Sequence, residues 1–366
     1  MRVAWLAAVA VTAVLVVASP SAASAARAYG AAGPKAVAVK TLTGTTTRLV
    51  SPTSGGPYPL VVASHGFSAS GDNQLGWAQH FASWGLAVAV PSFPSPLAPD
   101  AAKDAAIIED LVTQLRGPLA AAERVSTGAF GLEGHSAGGL ATAVAALQIA
   151  PGATILFDPV DKDAVGQAAY GKLCTPVLAI FAEPSSCNNS AGWRAFATTT
   201  TSDLLAFNVK GSTHCDGENA ARSLCGSFCG GAASPDRQAA YAHYATAFLL
   251  AHLASDAAAA SALVAAVVDA DAELANVAHG VSTCAKPPPD AGATTPEGGT
   301  TSSSSGGASS GGASSGGAPP AAETPGPAPA AQSGCGCRAA RPSFAGPSAA
   351  LLVIALATFL ARRRRR

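Results

Sequence analysis

Short apolar runs alternate with helix-like stretches between residues 60 and 253. After a predicted antiparallel pair over residues 35–50, the runs are continuously apolar, as strands buried on both faces of a parallel sheet are. Strands separated by helices predict βαβ units, and therefore an α/β fold with a mostly parallel central sheet flanked by helices. No insertion after residue 157 is long enough for a large lid domain. The predicted strands are residues 60–64, 86–90, 127–132, 153–157, 177–182 and 204–209, and the predicted helices are residues 71–84, 101–115, 137–149 and 235–253.

The first part of the chain predicts an exported protein. Residues 1–25 combine one arginine, an apolar run and the small residues Ala23-Ser24-Ala25, which is typical of a cleaved signal peptide. A permanent membrane anchor is the alternative. Residues 26–284 have the size of one α/β domain. Residues 285–333 are rich in Pro, Gly, Ser, Thr and Ala, which predicts a disordered linker because they bury too little apolar surface to fold.

Residues 334–366 begin with Gly-Cys-Gly-Cys, continue into an apolar stretch at residues 344–361 and end in five arginines. The stretch is near the lower length limit of about 17 residues for a membrane-spanning helix, and the arginines favour a cytoplasmic end. The segment resembles the MYXO-CTERM sorting signal of myxobacterial surface proteins. The resemblance implies cleavage by a sorting protease near Cys335 or Cys337 and retention at the cell surface or outer envelope. An ordinary C-terminal membrane anchor is the alternative.

Charge and cysteine content limit the partners of the central region. Residues 26–284 contain 13 basic and 19 acidic residues and no basic cluster, so we expect no nucleic-acid partner. Six of the eight cysteines lie there, which in an exported protein favours disulfides. We hypothesise a Cys187–Cys215 disulfide, because the loops that carry these residues should meet at one edge of the sheet. The alternative is a zinc site of Cys225 and Cys229 with Cys215 or His214. It lacks Cys-x2-Cys spacing, so no metal or cofactor is predicted.

The pentapeptide Gly-His-Ser-Ala-Gly at residues 134–138 follows a predicted strand and opens a predicted helix. The pattern Gly-x-Ser-x-Gly recurs at residues 307–311 and 312–316, so only the setting of the first copy gives it weight. A strand-to-helix turn is what a nucleophile elbow requires, and the helix N-terminus favours developing negative charge. Ser136 is therefore the predicted nucleophile, with a plain glycine-rich turn as the alternative.

A serine nucleophile needs a base, and His214 is the candidate. His243 and His252 fall within the last predicted helix, and His279 is placed at the frayed end of that helix. Among the histidines after Ser136, His214 alone follows a buried strand, which is where the base lies in folds with this elbow. A surface or metal-binding histidine is the alternative.

Two carboxylates compete for the role of the acid that orients the base. Glu183 follows the strand at residues 177–182, the usual position of the acid in this type of fold. Asp158 follows the preceding strand, from which some families take the acid. Since acidic residues also cap loops, position alone leaves both open.

The oxyanion hole should consist of the backbone amides of Ala137 and Phe67, which lies in a loop after an early strand. His65 is predicted to brace this loop. His65 and Trp193 are also the candidate substrate-binding residues, with packing as the alternative.

Four segments resemble a known family: SHGF at residues 64–67, ASWGLAVAVP at 82–91, GHSAGG at 134–139 and DPVD at 158–161. They look like the chlorophyllase branch of the α/β-hydrolases and, more loosely, bacterial cutinases and polyester hydrolases. The resemblance implies the α/β-hydrolase fold. Chlorophyllases are taken to use the first Asp of Asp-Pro-Val-Asp as the acid, which implies Asp158. In polyester hydrolases the acid follows the next strand, where this chain has Pro184 or Ser185 instead of the expected Asp.

The resemblance further implies a serine ester hydrolase that forms an acyl-enzyme on a small-molecule or polymeric ester. Ala137 stands where chlorophyllases tend to carry Arg, which does not favour chlorophyll as the substrate. Two alternatives remain: another α/β-hydrolase chemistry, such as that of a dienelactone hydrolase, amidase or peptidase, and a non-catalytic surface protein that retains the fold.

Overall fold

A nine-stranded sheet forms the centre of residues 27–284, the part of the chain that this computed structural model describes. The strands are β1 (Val37–Thr41), β2 (Arg48–Pro52), β3 (Tyr58–Ser64), β4 (Ala87–Val90), β5 (Val125–His135), β6 (Ala153–Phe157), β7 (Val177–Phe181), β8 (Leu204–Val209) and β9 (Leu274–Gly280). In space they follow the order β1-β2-β4-β3-β5-β6-β7-β8-β9. Neighbouring strands from β4 to β8 are parallel, whereas β1, β2 and β9 join the edges in antiparallel fashion. The predicted mostly parallel sheet of an α/β-hydrolase fold is confirmed.

Helices cover both faces of the sheet. The helices are α1 (Leu75–Ser83), α2 (Ala101–Arg116), α3 (Ala120–Glu123), α4 (Ala137–Ile149), α5 (Val165–Tyr170), α6 (Ser223–Phe228), α7 (Pro235–Leu253), α8 (Ala257–Ala262) and α9 (Ala265–Val268), with 3₁₀ turns at Ala28–Gly30, Gly71–Gln74, Ser186–Asn188, Gly192–Thr199 and His214–Gly217. One apolar core lies between the sheet and helices α1 and α7, and it contains Trp77, Phe157 and Tyr241. The other lies between the sheet and helices α2 and α4, and it contains Ile108 and Leu132.

Local sequence explains the boundaries of the central elements. Every residue of β6, β7 and β8 is buried, in agreement with their continuous apolar runs. α2 begins after Asp100, whose Oδ1 accepts the N–H of Lys103 at 3.3 Å in the manner of a helix N-cap. Between β6 and β8, the described chain contains α5, β7 and two 3₁₀ turns, and no inserted domain.

The prediction that His279 lies at the frayed end of the last helix is wrong. His279 lies in β9, which pairs antiparallel with β8. Most β9 side chains are partly or fully exposed. An edge strand of this kind gives no alternating apolar signal, because little of it needs to be buried.

The predicted signal peptide (residues 1–25), linker (residues 285–333) and C-terminal anchor (residues 334–366) lie outside the described residues. Within residues 27–284, no helix is both long enough and apolar enough to cross a membrane.

Within residues 27–284, three disulfides link the loops, and they correct the hypothesis of a Cys187–Cys215 bond. Cys187 is bonded to Cys229, and Cys215 to Cys225. Both partners lie on or beside α6, four residues apart, so this unpredicted helix stands between the two loops and joins them indirectly. All the cysteines of the alternative zinc site are therefore bonded in disulfides. The third bond joins Cys174 to Cys284.

Candidate active site

Ser136 lies at a sharp turn between β5 and α4. Its backbone has φ 57° and ψ −124°, a strained conformation for a residue other than glycine. A Cβ on Gly134 would lie 2.3 Å from Oγ1 of Thr142, and one on Gly138 would lie 2.4 Å from the carbonyl oxygen of His65. Only glycine fits at both positions, so the pentapeptide has the strand–turn–helix geometry of a nucleophile elbow.

The hydroxyl of Ser136, which follows β5, contacts the imidazole of His214, which lies in the loop after β8. His214 follows β8, and its Nε2 lies 3.0 Å from Oγ of Ser136. Ser136 is 6% and His214 5% exposed, so the contact is largely shielded from water. At this distance Nε2 can accept the hydroxyl proton as Oγ attacks an electrophile.

Asp158 is the carboxylate that the structure brings to His214. Its Oδ2 lies 2.6 Å from Nδ1 of His214. A carboxylate only accepts hydrogen bonds, so Nδ1 donates and Nε2 is left to accept from Ser136. Asp158 is 1% exposed, and its Oδ1 also accepts the N–H of Ala182 at 3.1 Å. Its negative charge can stabilise a protonated imidazole.

Glu183, the alternative acid, lies elsewhere. Its side chain is exposed, and its Oε1 accepts the backbone N–H of Gly211 at 3.2 Å. The carboxylate therefore supports the turn after β8 and makes no contact with His214 among the described residues.

Asn188, which no sequence pattern predicted as a site residue, holds Asp158 in place. Its Nδ2 donates to both carboxylate oxygens of Asp158, at 3.3 and 3.0 Å. Its Oδ1 accepts the N–H groups of Ser185 and Ala191 at 2.8 and 2.9 Å, so the amide cannot rotate freely. The one sequence signal for this residue is its place beside Cys187, in a loop that a disulfide fixes.

A buried carboxylate also fixes the backbone around His214. Oδ2 of Asp216 accepts the N–H of Thr213 at 2.7 Å and pairs with Nε of Arg237 at 2.7 Å. The indole N–H of Trp77 donates to the carbonyl of Gly217 at 2.9 Å. The loop that carries the base is thus attached to α7 and to α1.

His135 supports His214 from the side of the elbow. The two ring centroids are 4.6 Å apart, and Nε2 of His135 donates to the backbone carbonyl of His214 at 2.9 Å. Burial, assisted by the neighbouring His214, holds the pKa of His135 well below its ordinary value. The His135 ring is therefore neutral near pH 7 and adds no charge beside the base.

The loop after β3 lies directly over Ser136. A Cβ on Gly66 would lie 2.8 Å from Cβ and 3.3 Å from Oγ of Ser136. Among the described residues, no hydrogen bond occupies the backbone N–H of Phe67 or of Ala137. Two free amide donors beside the hydroxyl can hold an oxygen on which negative charge develops.

Both ring nitrogens of His65 are hydrogen-bonded to backbone groups at this loop. Its Nδ1 donates to the carbonyl of Gly66 at 2.9 Å, and its Nε2 accepts the N–H of Phe93 at 2.9 Å. Burial lowers the pKa of His65, in keeping with a neutral ring. Trp193 is buried and packs against Tyr170 at a centroid distance of 5.7 Å, which fits the packing alternative better than substrate contact.

A small crevice opens beside the same loop. Phe93, Pro96 and Asp104 line it together with Gly66 and Ala137. Burial raises the pKa of Asp104 to about 6, so this crevice can hold a neutral carboxyl group at mildly acidic pH.

Comparison with known proteins agrees with this architecture. Residues 33–190 match the family described as Chlorophyllase, which is of the α/β-hydrolase type. The matched region includes Phe67, Ser136 and Asp158 and ends before His214. None of the curated proteins matches the chain. This chain is therefore an α/β-hydrolase-fold protein with a region similar to the chlorophyllase family, which indicates a hydrolase.

Proposed function

We propose that this protein is an exported serine ester hydrolase held at the cell surface, with Ser136, His214 and Asp158 as its catalytic residues. The observation that carries the proposal is the continuous hydrogen-bonded chain from Ser136 to Nε2 of His214 (3.0 Å) and from its Nδ1 to Asp158 (2.6 Å). A serine hydroxyl is a weak nucleophile by itself, and this arrangement supplies the base and the group that orients it.

In the acylation step, Oγ of Ser136 attacks the carbonyl carbon of the ester while Nε2 of His214 takes the hydroxyl proton. The carboxylate of Asp158 stabilises the resulting imidazolium. The amides of Phe67 and Ala137 donate to the carbonyl oxygen as it becomes negative. His214 then gives its proton to the oxygen of the leaving alcohol, the bond to that oxygen breaks, and the acyl group stays on Ser136.

Deacylation repeats the sequence with water as the nucleophile. His214 takes a proton from water, whose oxygen attacks the acyl carbon under the same two amides. Collapse of the tetrahedral intermediate returns the proton from His214 to Oγ of Ser136 and releases the carboxylic acid.

The proposal of export rests on the disulfides and on the two ends of the chain. Three disulfides within residues 27–284 are consistent with an extracellular location. We assign export to residues 1–25 and attachment to the membrane to residues 334–366, with a sorting protease as a partner.

An assay with several classes of substrate tests the proposed function. The purified protein should be assayed with p-nitrophenyl esters of increasing acyl length, a polyester, a lactone and an anilide, beside Ser136→Ala. We expect hydrolysis of at least one ester, and a loss of about 10⁴-fold or more in Ser136→Ala. Cleavage of the anilide or of the lactone, with no cleavage of any acyclic ester, would indicate another hydrolase chemistry. Ester hydrolysis that persists in Ser136→Ala would overturn the proposal.

A further inference from the structure

Arg222 connects two parts of the site that are far apart in sequence. Its guanidinium lies against the loop after β3, where Nη1 donates to the Ser68 hydroxyl at 2.8 Å and to the Ser68 carbonyl at 2.5 Å. Nη2 donates to the carbonyl of Phe67 at 3.3 Å. The family match ends at residue 190, so it gives no role to this arginine.

A buried carboxylate holds Arg222 from the opposite side. Glu218 is 1% exposed, and its Oε1 accepts from Nε and Nη2 of Arg222 at 3.1 and 2.5 Å. Its Oε2 accepts from Nε at 3.2 Å and from the backbone N–H of Arg222 at 3.1 Å. The guanidinium has five N–H donors in one plane, so it can donate to a carboxylate along one edge and to carbonyls along another. A lysine ammonium group lacks this planar set of donors.

Glu218 itself is fixed and lies four residues after His214. Its carbonyl accepts from Nε2 of Gln238 on α7 at 2.6 Å, and its N–H donates to the carbonyl of Cys215 at 3.1 Å. The backbone N–H of the next residue, Asn219, donates to the carbonyl of Asn73, and the carbonyl of Asn219 accepts the N–H of Gly76. The ion pair is thus attached to the segment that carries the base.

Arg222 bonds to the peptide group next to the one that carries the Phe67 N–H. The 67–68 peptide is held at both ends, because its carbonyl accepts from Arg222 and the N–H of Ser68 donates to the carbonyl of Pro96 at 2.7 Å. The preceding peptide is held by His65, which donates to the carbonyl of Gly66. Because the peptide groups on both sides of Phe67 are held by hydrogen bonds, the orientation of the Phe67 N–H is fixed.

We infer that Arg222, anchored by Glu218, is a positioning residue that fixes the oxyanion-binding amide of Phe67 relative to His214. The inference rests on the proposed function of Ser136. Loss of one oxyanion donor costs about 10²–10³ in kcat, and a donor that is only misdirected should cost less.

The test compares Arg222→Gln with Arg116→Gln in the full-length protein. Arg116 is a matched control, because its Nη2 also donates to two backbone carbonyls, those of Thr127 and Gly128, at 2.8 and 2.6 Å. The readouts are kcat and KM on a p-nitrophenyl ester and the affinity for an alkylboronic acid, which forms a tetrahedral adduct with a serine nucleophile. Complete fluorophosphonate labelling counts the active molecules.

For Arg222→Gln we expect kcat to fall about tenfold or more, boronate affinity to fall by a similar factor, and KM to change less than about twofold. Arg116→Gln should change none of the three. If the Gln variant fails to fold, Arg222→Lys carries the same test, with an expected loss of about threefold to fivefold.

If kcat and boronate affinity were the same in Arg222→Gln as in Arg116→Gln, the role of Arg222 would be overturned. The proposed function would stand, provided that the wild type is active and its activity depends on Ser136. A fall in the labelled fraction without a change in kcat per labelled molecule would also overturn it, since that result describes a structural role. Activity that does not depend on Ser136 would instead overturn the proposed function.

Discussion

Nδ1 of His214 lies 2.6 Å from Oδ2 of Asp158, a residue 56 positions earlier in the chain. This contact separates the two candidate acids. Asp158→Asn should lower kcat by about 10³–10⁴-fold, because an amide can place its N–H against Nδ1 and favour the wrong tautomer of His214. Steady-state kinetics on a p-nitrophenyl ester checks this.

Glu183→Gln is the control for that measurement. The exposed Glu183 carboxylate only supports a turn, so we expect kcat within about twofold of the wild type. The reverse order of the two losses would reassign the acid to Glu183.

Asn188 offers a test of how Asp158 is held. Asn188→Asp replaces the amide that donates to both oxygens of Asp158 with a second carboxylate. Repulsion should displace Asp158 or protonate one of the pair, and kcat should fall about tenfold or more. Asn189→Asp is the matched control, because this neighbour is exposed and donates only to the carbonyl of Asp161. Equal kinetics in the two variants would contradict the role of Asn188.

The disulfides should differ in what they contribute. Replacing Cys187 and Cys229 with serine frees the loop of Asn188, so kcat per folded molecule should fall severalfold. Replacing Cys174 and Cys284 opens a loop of 110 residues and should cost about 5 kcal/mol of stability in the chain-entropy view, with kcat unchanged. Urea denaturation measures the change in stability, and steady-state kinetics measures the change in kcat. An unchanged kcat in the variant without Cys187 and Cys229 would contradict the expected difference between the two disulfides.

The fold could be predicted largely from apolar periodicity. Strands β6 and β8 and helices α4 and α7 have the predicted bounds, because continuous apolar runs and helix-length patterns mark elements that are buried along their length. The edge strand β9 buries too little to leave such a pattern, and α6 spans only six residues. Missing α6 also led to the wrong disulfide, since that helix carries or adjoins the true partners.

Within the site, local signals predicted some residues and tertiary contacts decided the rest. Ser136 has a pentapeptide in a strand-to-helix setting, and His214 follows a late strand. Asp158 and Glu183 follow neighbouring strands, and in the structure the hydrogen bond with His214 distinguishes Asp158 from Glu183. Asn188 lies 30 residues from Asp158, and Arg222 lies 155 from Phe67. Contacts across such separations leave no periodic or motif signal in a single sequence.

We expect Glu133 to make the stability of the protein depend on pH. It directly precedes Gly134 on β5, and neither carboxyl oxygen has a hydrogen-bond partner among the described residues. Burial raises the pKa of Glu133 well above its ordinary value. Above the ordinary pKa the unfolded chain loses this proton while the folded protein keeps it, so stability falls as pH rises, by at most about 1.4 kcal/mol per pH unit.

Glu133→Gln removes this titration. Urea denaturation between pH 5 and 8 should show a shallower loss of stability with rising pH in Glu133→Gln than in the wild type. Asp110→Asn, which removes an exposed carboxylate, is the control. Parallel stability curves for Glu133→Gln and the wild type would show that Glu133 does not carry the effect.

The central claim is that Ser136 becomes acylated with the help of His214. The most direct measurement mixes the purified protein with a p-nitrophenyl ester, quenches the reaction within the first turnover in acid and locates the acyl group by peptide mass spectrometry. We predict one acyl group on the peptide that contains Ser136, and none in Ser136→Ala or His214→Ala under the same conditions. Turnover of the ester with the acyl group on another residue, or with no acyl-enzyme and full activity in Ser136→Ala, would contradict the account.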